Sequence, residues 1–341
     1  MADDGANRRA LSALRVMSTQ GHIVFAQIEP TTYCNFTCGF CCGRQMDQSH
    51  LPLVRFRQFL QRFPAIRQLE LQGEGEPFIH PEFFALVALA EAAGIQVSLI
   101  TNGSCFSHSV VGKLLDSQVR AIRISLETAN ADKFRALRGG SLAAVTAGIL
   151  RLRDARVARG QDYPSMGFAV TVLDSTLDDL PAIYALYEQL GLDGGVAVQP
   201  LNRMPYYVQH SATALQTEHL TAARHGARYQ DYVNSAAARR IWQTRSAHAH
   251  FYDELFKPRP ADIERGRQAS CPWLDNGIYL DRHGRLSPCC MIKPEAWPLG
   301  DLDTLSDTAL HDYRRGLADE LATGHIPAPC SGCNVAWMIA S

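Results

Sequence analysis

Six short runs rich in Ile, Val, Leu or Phe recur along the amino-terminal 200 residues of this 341-residue chain, at Ile23–Ile28, Gln68–Leu71, Gln96–Ile100, Ala121–Leu126, Met166–Leu173 and Gly195–Gln199. Between them lie windows long enough for a crossover helix, such as Phe83–Ala93 and Leu180–Leu190, each followed by a glycine stop at Gly94 and Gly191. That alternation predicts βα units with parallel strands joined by right-handed crossovers. Six units fall two short of a closed barrel, so the expected fold is α/β, an open, partial (β/α)6 TIM-like barrel. Chemistry in such sheets sits at the carboxyl ends of the strands. Four segments should therefore converge on one rim: the cysteines from Cys34 onward, Gly73-Glu74-Gly75-Glu76-Pro77, Thr101-Asn102-Gly103 and Glu127-Thr128.

Composition narrows the function classes. With 46% hydrophobic and 20% charged residues the chain has material for a core and no signature of disorder. Thirty-three Lys and Arg against 34 Asp and Glu leave a formal net charge of -1, with no global footprint for nucleic acid or an anionic membrane. The apolar run beginning at Phe83 is broken by Glu91, far short of the roughly 18 residues needed to span a bilayer. No basic segment followed by an apolar one opens the chain, so a cytoplasmic location is expected. Ten cysteines in a reducing compartment point to metal binding or catalysis rather than disulfides. They fall into two groups, Cys34, Cys38, Cys41 and Cys42, and Cys271, Cys289, Cys290, Cys330 and Cys333, with Cys105 alone between them. Two sites are expected.

The chain divides into a polar lead-in over 1–21, the barrel over 22–202, a helical bridge or lid over 203–267 and a small module over 268–341. The bridge carries ten Lys or Arg against six Asp or Glu and five of the twelve histidines. A module of about 70 residues with little core usually needs a staple, which its cysteines can supply through a metal centre.

In the first group, Cys34, Cys38 and Cys41 are separated by three and then two residues on a loop after the first strand. Three thiolates leave one iron of a 4Fe-4S cluster open to another ligand. Structural zinc also uses closely spaced cysteines but normally takes four. With Phe40 before the last cysteine, this loop resembles the signature of the radical S-adenosylmethionine (radical SAM) superfamily. Gly75-Glu76-Pro77 resembles that family's Gly-Gly-Glu-Pro motif, with Glu74 standing where many members carry glycine. The resemblance covers about residues 20–200. It implies a 4Fe-4S cluster on Cys34, Cys38 and Cys41 whose open iron chelates S-adenosyl-L-methionine. One electron then cleaves the sulfonium to a 5'-deoxyadenosyl radical, which takes a hydrogen atom from substrate. It further implies cofactor contacts from Gly75, Glu76 and Pro77, with Asn102 and Ser125 as candidates for the methionine carboxylate or ribose. An external low-potential donor such as flavodoxin or ferredoxin is the expected partner, with no nucleic acid and no membrane. Cys42 lies outside the required spacing and is expected to be a packed side chain.

In the second group, twelve residues separate Cys271 from Gly284 and four separate Gly284 from Cys289, which resembles the opening of SPASM and twitch auxiliary-cluster domains. Ile278–Asp281 and Gly284–Ser287 read as a hairpin returning Cys289 towards Cys271. The resemblance implies the shorter, twitch-type form, with one auxiliary 4Fe-4S cluster on Cys271, Cys289, Cys330 and Cys333; four thiolates suit zinc equally. Cys290 could replace Cys289, but its spacing from Gly284 is one residue too long. Two clusters are thus expected. Three reactions compete: dehydrogenation of a small sugar- or alcohol-like metabolite by a radical SAM oxidoreductase, epimerisation with Cys105 or Cys290 as hydrogen donor, and modification of a ribosomal peptide. Fold-level resemblance does not choose among them.

Overall fold

The computed structural model describes residues 23–212, 217–249, 271–333 and 335. The lead-in 1–21 and, within the bridge, residues 213–216 and 250–267 lie outside the described residues. Six parallel strands, β1 (Phe25–Ile28), β2 (Gln68–Leu71), β3 (Gln96–Thr101), β4 (Val119–Ser125), β5 (Ser165–Val172) and β6 (Val196–Pro200), stand side by side in chain order. Each lies within about two residues of its predicted run, and the sheet is the open, partial barrel that the alternation implied.

Strands β1 and β2 are buried on both faces. In β1, Phe25, Ala26 and Ile28 are apolar and inaccessible, and the single polar member, Gln27, donates from Nε2 to the Gln72 carbonyl at 3.2 Å. Such continuous burial is the mark of a parallel strand sandwiched between layers. The crossover Phe83–Ala92 buries Phe83, Leu86, Val87 and Ala90, the spacing of one helical face, and stops before Gly94. Side-chain caps fix several helix starts: the Asn130 carboxamide accepts from the Asp132 and Lys133 amides at 3.0 Å, and Ser306 accepts from the Ala309 amide at 3.1 Å.

The cysteine-rich tail contributes to the same sheet. After the short helix Pro272–Asn276, β7 (Gly277–Leu280) pairs in parallel with β1, Phe25 opposite Gly277, and β8 (Leu286–Ser287) returns antiparallel to it. The order becomes β6-β5-β4-β3-β2-β1-β7-β8. The hairpin is present as read, while its docking on β1 was not visible in local pattern. The helix Asp307–Ala322 then packs on this end, and its buried Arg314 donates to the carbonyls of Leu274 at 2.6 Å, Trp273 at 3.3 Å and Gly277. The bridge contains helices at Pro205–His210, Ala222–Val233 and Ala236–Gln243. Among the described residues no helix is long and apolar enough to cross a membrane.

Candidate active site

The cysteine loop leaves the carboxyl end of β1 and is seated on the end of the helix Ala131–Arg138 that follows β4. The Thr37 amide donates to the Arg138 carbonyl at 2.9 Å and the Gly39 amide to Leu137 at 3.3 Å. This close approach requires Gly139, which ends the helix at φ +73°; a Cβ there would lie 2.2 Å from the Thr37 hydroxyl. The same helix end delivers Arg138 into the loop. Its guanidinium binds both oxygens of Glu127, with Nη2 to Oε1 at 2.6 Å, and Nη1 lies 3.9 Å from the Cys38 sulfur. Burial pushes the Cys38 thiol up to about 11 against the pull of Arg138. The Cys41 thiol is pushed higher still, first by burial and then by the Glu74 carboxylate, whose Oε2 is 3.6 Å away.

The turn after β2 folds against this loop. The Glu76 amide donates to the Tyr33 carbonyl at 2.9 Å, and a Cβ on Gly75 would meet the Thr31 and Tyr33 carbonyl oxygens at 2.5 Å, so the turn admits only glycine there. The Glu76 carboxylate, 1% exposed, accepts from the Thr101 hydroxyl and the Asn102 amide at 2.7 Å each and from the Phe78 amide at 3.4 Å. Burial outweighs these bonds and pushes its carboxyl up to about 7. Pro77 opens the following turn of 3-10 helix.

Asn102 ties three strand ends together. Its Nδ2 donates to Asn35 Oδ1 at 2.8 Å and approaches the Cys34 sulfur at 3.8 Å, while Oδ1 accepts from the Ser104 amide at 2.9 Å and hydroxyl at 2.6 Å. All of its amide valences are thus occupied. Ser125 ends β4, partly exposed. Cys105 is half-buried beside the Ser104 hydroxyl at 3.6 Å, within the electrostatic reach of Glu76 and Cys34. Cys42 is fully buried against Met46, 3.9 Å between sulfurs.

The second cysteine group also converges. Cys289 and Cys330 belong to a compact apolar cluster with Leu274, Ile292, Leu317 and Leu321, and Cys271, Cys290 and Cys333 pack against it. The thiols of Cys271 and Cys330 are each pushed up to about 12, first by burial and then by their cysteine neighbours. Cys289 is shifted further, above all by its hydrogen bond with Cys290.

Two buried ion pairs that sequence reasoning did not single out flank the cysteine loop. One is Arg138–Glu127 beside Cys38. The other joins Lys293 Nζ to Glu74 Oε1 at 2.7 Å, with the Tyr207 hydroxyl donating to the same oxygen at 3.1 Å. Arg138 had a weak local signal, the Arg-Gly-Gly run at a helix end; Lys293 and Tyr207 had none.

These donors suit an iron–sulfur group. Ligation requires the thiolate, so a cationic centre bound here would have to displace the protons that burial favours. Among the described residues no three Cys, His, Asp or Glu side chains close on a single ion; the cysteines are related through their mutual fields. Cys34, Cys38 and Cys41 would hold such a group, and Cys271, Cys289, Cys330 and Cys333 are the thiols available at the second site.

Comparison with known proteins agrees with this chemistry. Residues 28–187 match the Radical SAM superfamily. The tungsten-containing aldehyde ferredoxin oxidoreductase cofactor-modifying protein of Pyrococcus furiosus is 25% identical over 175 residues, 50% of this chain and 49% of that protein. The AdoMet-dependent heme synthase of Methanosarcina barkeri is 28% identical over 169 residues, 48% of this chain and 46% of its own length. The chain thus spans about half the length of the curated relatives it matches. Among solved structures, Streptococcus suis SuiB bound to precursor peptide SuiA superposes with a TM-score of 0.63 at 16% identity, over 90% of this chain and 70% of that one. Native anSMEcpe with bound AdoMet and Cp18Cys peptide gives 0.61 at 15% identity, over 93% and 88%. At these identities the likeness establishes the shared fold. The cysteine loop and the glutamate turn both lie inside the matched segment, so residues 28–187 carry the likeness to the Radical SAM superfamily.

Proposed function

We propose that the chain is an oxidoreductase that dehydrogenates a small sugar- or alcohol-like metabolite. With two 4Fe-4S clusters and S-adenosyl-L-methionine bound, the chemistry supplied is a 5'-deoxyadenosyl radical that takes a hydrogen atom and an acceptor for the remaining electron. The chain's own residues hold and orient. Cys34, Cys38 and Cys41 would anchor the open cluster, and the Gly75–Pro77 turn would receive the methionine ammonium, with the Glu76 carboxyl fixed beneath the turn by Thr101 and Asn102. Asn102 acts by positioning, since its bonds to Asn35 and Ser104 fix the mouth of the cysteine loop. The Gly75 cradle brings the turn against the backbone of the cysteine loop and leaves no room for a side chain between them.

The observation that carries the oxidative reading is the convergence of four cysteines in one apolar cluster on a module that shares a sheet with the catalytic strands. A fully ligated centre there would have no open position for substrate, so its work would be to conduct electrons and to staple the module, and the oxidative reading uses the first. Peptide modification is the second reading, favoured by the two peptide-bound structures that share the fold; epimerisation through Cys105 or Cys290 is the third. The test is Cys271→Ala in the full chain, reconstituted anaerobically. Formation of 5'-deoxyadenosine should persist while two-electron-oxidised product falls at least tenfold; undiminished oxidised product refutes the assignment.

A further inference from the structure

Glu74 occupies the position at which the turn after β2 resembles a motif with glycine, and its side chain is engaged on every side. Lys293 Nζ lies 2.7 Å from Oε1, and the Tyr207 hydroxyl donates to the same oxygen at 3.1 Å. The Cys41 sulfur is 3.6 Å from Oε2 and 3.5 Å from the Glu74 carbonyl, and the Glu74 amide donates to Glu29 Oε2 at 2.9 Å. Lys293 is 2% exposed and lies 5.0 Å from the Tyr279 ring centre and 5.5 Å from that of Tyr207. It comes from the cysteine-rich module, four residues past Cys289. A second pair, Arg282 with Glu29 at 3.0 Å, balances the buried carboxylate that accepts from the Glu74 amide.

Charge placed here is poorly screened, because buried pairs feel a low effective dielectric. A carboxylate against a ligating sulfur disfavours the addition of an electron to the metal centre, and an ammonium on the far oxygen offsets that effect. Across the loop, Arg138 sets a cation 3.9 Å from Cys38, so the member of each ion pair nearest a sulfur differs in sign between the two flanks. Glycine at position 74 would supply neither the anion nor the anchor for Lys293.

We propose that the Glu74–Lys293 pair sets the reduction potential of the cluster held by Cys34, Cys38 and Cys41, Glu74 lowering it through its contact with the Cys41 sulfur and Lys293 raising it again. The inference rests on the cluster assignment made above. It makes the potential of the amino-terminal cluster depend on the seating of the carboxyl-terminal module, because the counter-ion arrives from there. Glu74 and Lys293 are positioning residues, acting through Cys41.

The test is a dithionite redox titration of the reconstituted full chain at pH 8.5, following the electron paramagnetic resonance signal that changes on adding S-adenosyl-L-methionine. Glu74→Gln, which keeps the shape and removes the anion, should move the midpoint to higher potential. Lys293→Met should move it lower, and the double variant should fall between the two. A purely structural pair would move both single variants in the same direction or neither, and that result overturns the proposal. Should Lys293→Met not fold, Glu74→Gln decides alone, an unchanged or lowered midpoint refuting the inference. The underlying assignment fails separately, if Cys41→Ala retains the S-adenosyl-L-methionine-responsive signal.

Discussion

Arg138 offers a quantitative check on how the cysteine loop is held. Its side chain is 6% exposed and that of its partner Glu127 1%, and the guanidinium engages both carboxylate oxygens while reaching Cys38. Replacing Arg138 with methionine strands a carboxylate in an apolar site, a change that costs about 3–5 kcal/mol when one partner of a buried pair is removed. Spread over the unfolding entropy of a chain this long, that is a fall of about 4–7 °C in Tm. Replacing both partners, as Arg138→Met with Glu127→Leu, removes the stranded charge, and substitution of a buried pair by apolar groups is often neutral. The double variant should therefore recover most of the loss. The backbone seat of the loop, Thr37 amide to Arg138 carbonyl at 2.9 Å, survives both changes. Equilibrium urea unfolding of wild type, both single variants and the double variant gives the coupling energy. A loss below about 1 kcal/mol in Arg138→Met, the value typical of exposed pairs, would refute the account. So would a double variant as unstable as the single.

Two further outcomes follow from the turn after β2. Burial raises the Glu76 carboxyl to about 7, so the folded chain binds a proton there that the unfolded chain releases near its ordinary value, and this contribution to stability is lost as pH rises from about 4.5 to 7. Glu76→Gln should cancel that loss, so its stability relative to wild type should rise by about 3 kcal/mol across the interval in urea unfolding without S-adenosyl-L-methionine; a flat difference refutes it. Gly75→Ala drives a Cβ to 2.5 Å from two backbone carbonyls and should abolish 5'-deoxyadenosine formation while the far-ultraviolet circular dichroism persists; retained cleavage would show that the turn yields.

The strands and the cysteine loop were legible because each depends on local pattern. Runs such as Gln68–Leu71 declare a strand by composition alone, and Cys34, Cys38 and Cys41 declare chemistry by spacing. The rim followed from topology, since parallel strands in chain order bring successive loops together. What local pattern could not supply is partnership across 219 positions of sequence. Glu74 was visible as a departure from the glycine of the resembled motif, yet nothing near it announced Lys293, which becomes its neighbour only because β7 pairs with β1. Arg138 reads as an ordinary helix-end cation until the helix is seated on the loop, when the requirement for Gly139 and the contact with Cys38 become one fact. The residues missed are thus buried charges, costly unless paired, whose partners are chosen by the fold rather than by neighbours in the chain. That cost is itself the clue to their purpose. Beside the cysteine loop each pair sets one charge against a sulfur, the Glu74 carboxylate at Cys41 and the Arg138 guanidinium at Cys38, with its counter-ion, Lys293 or Glu127, bound to it.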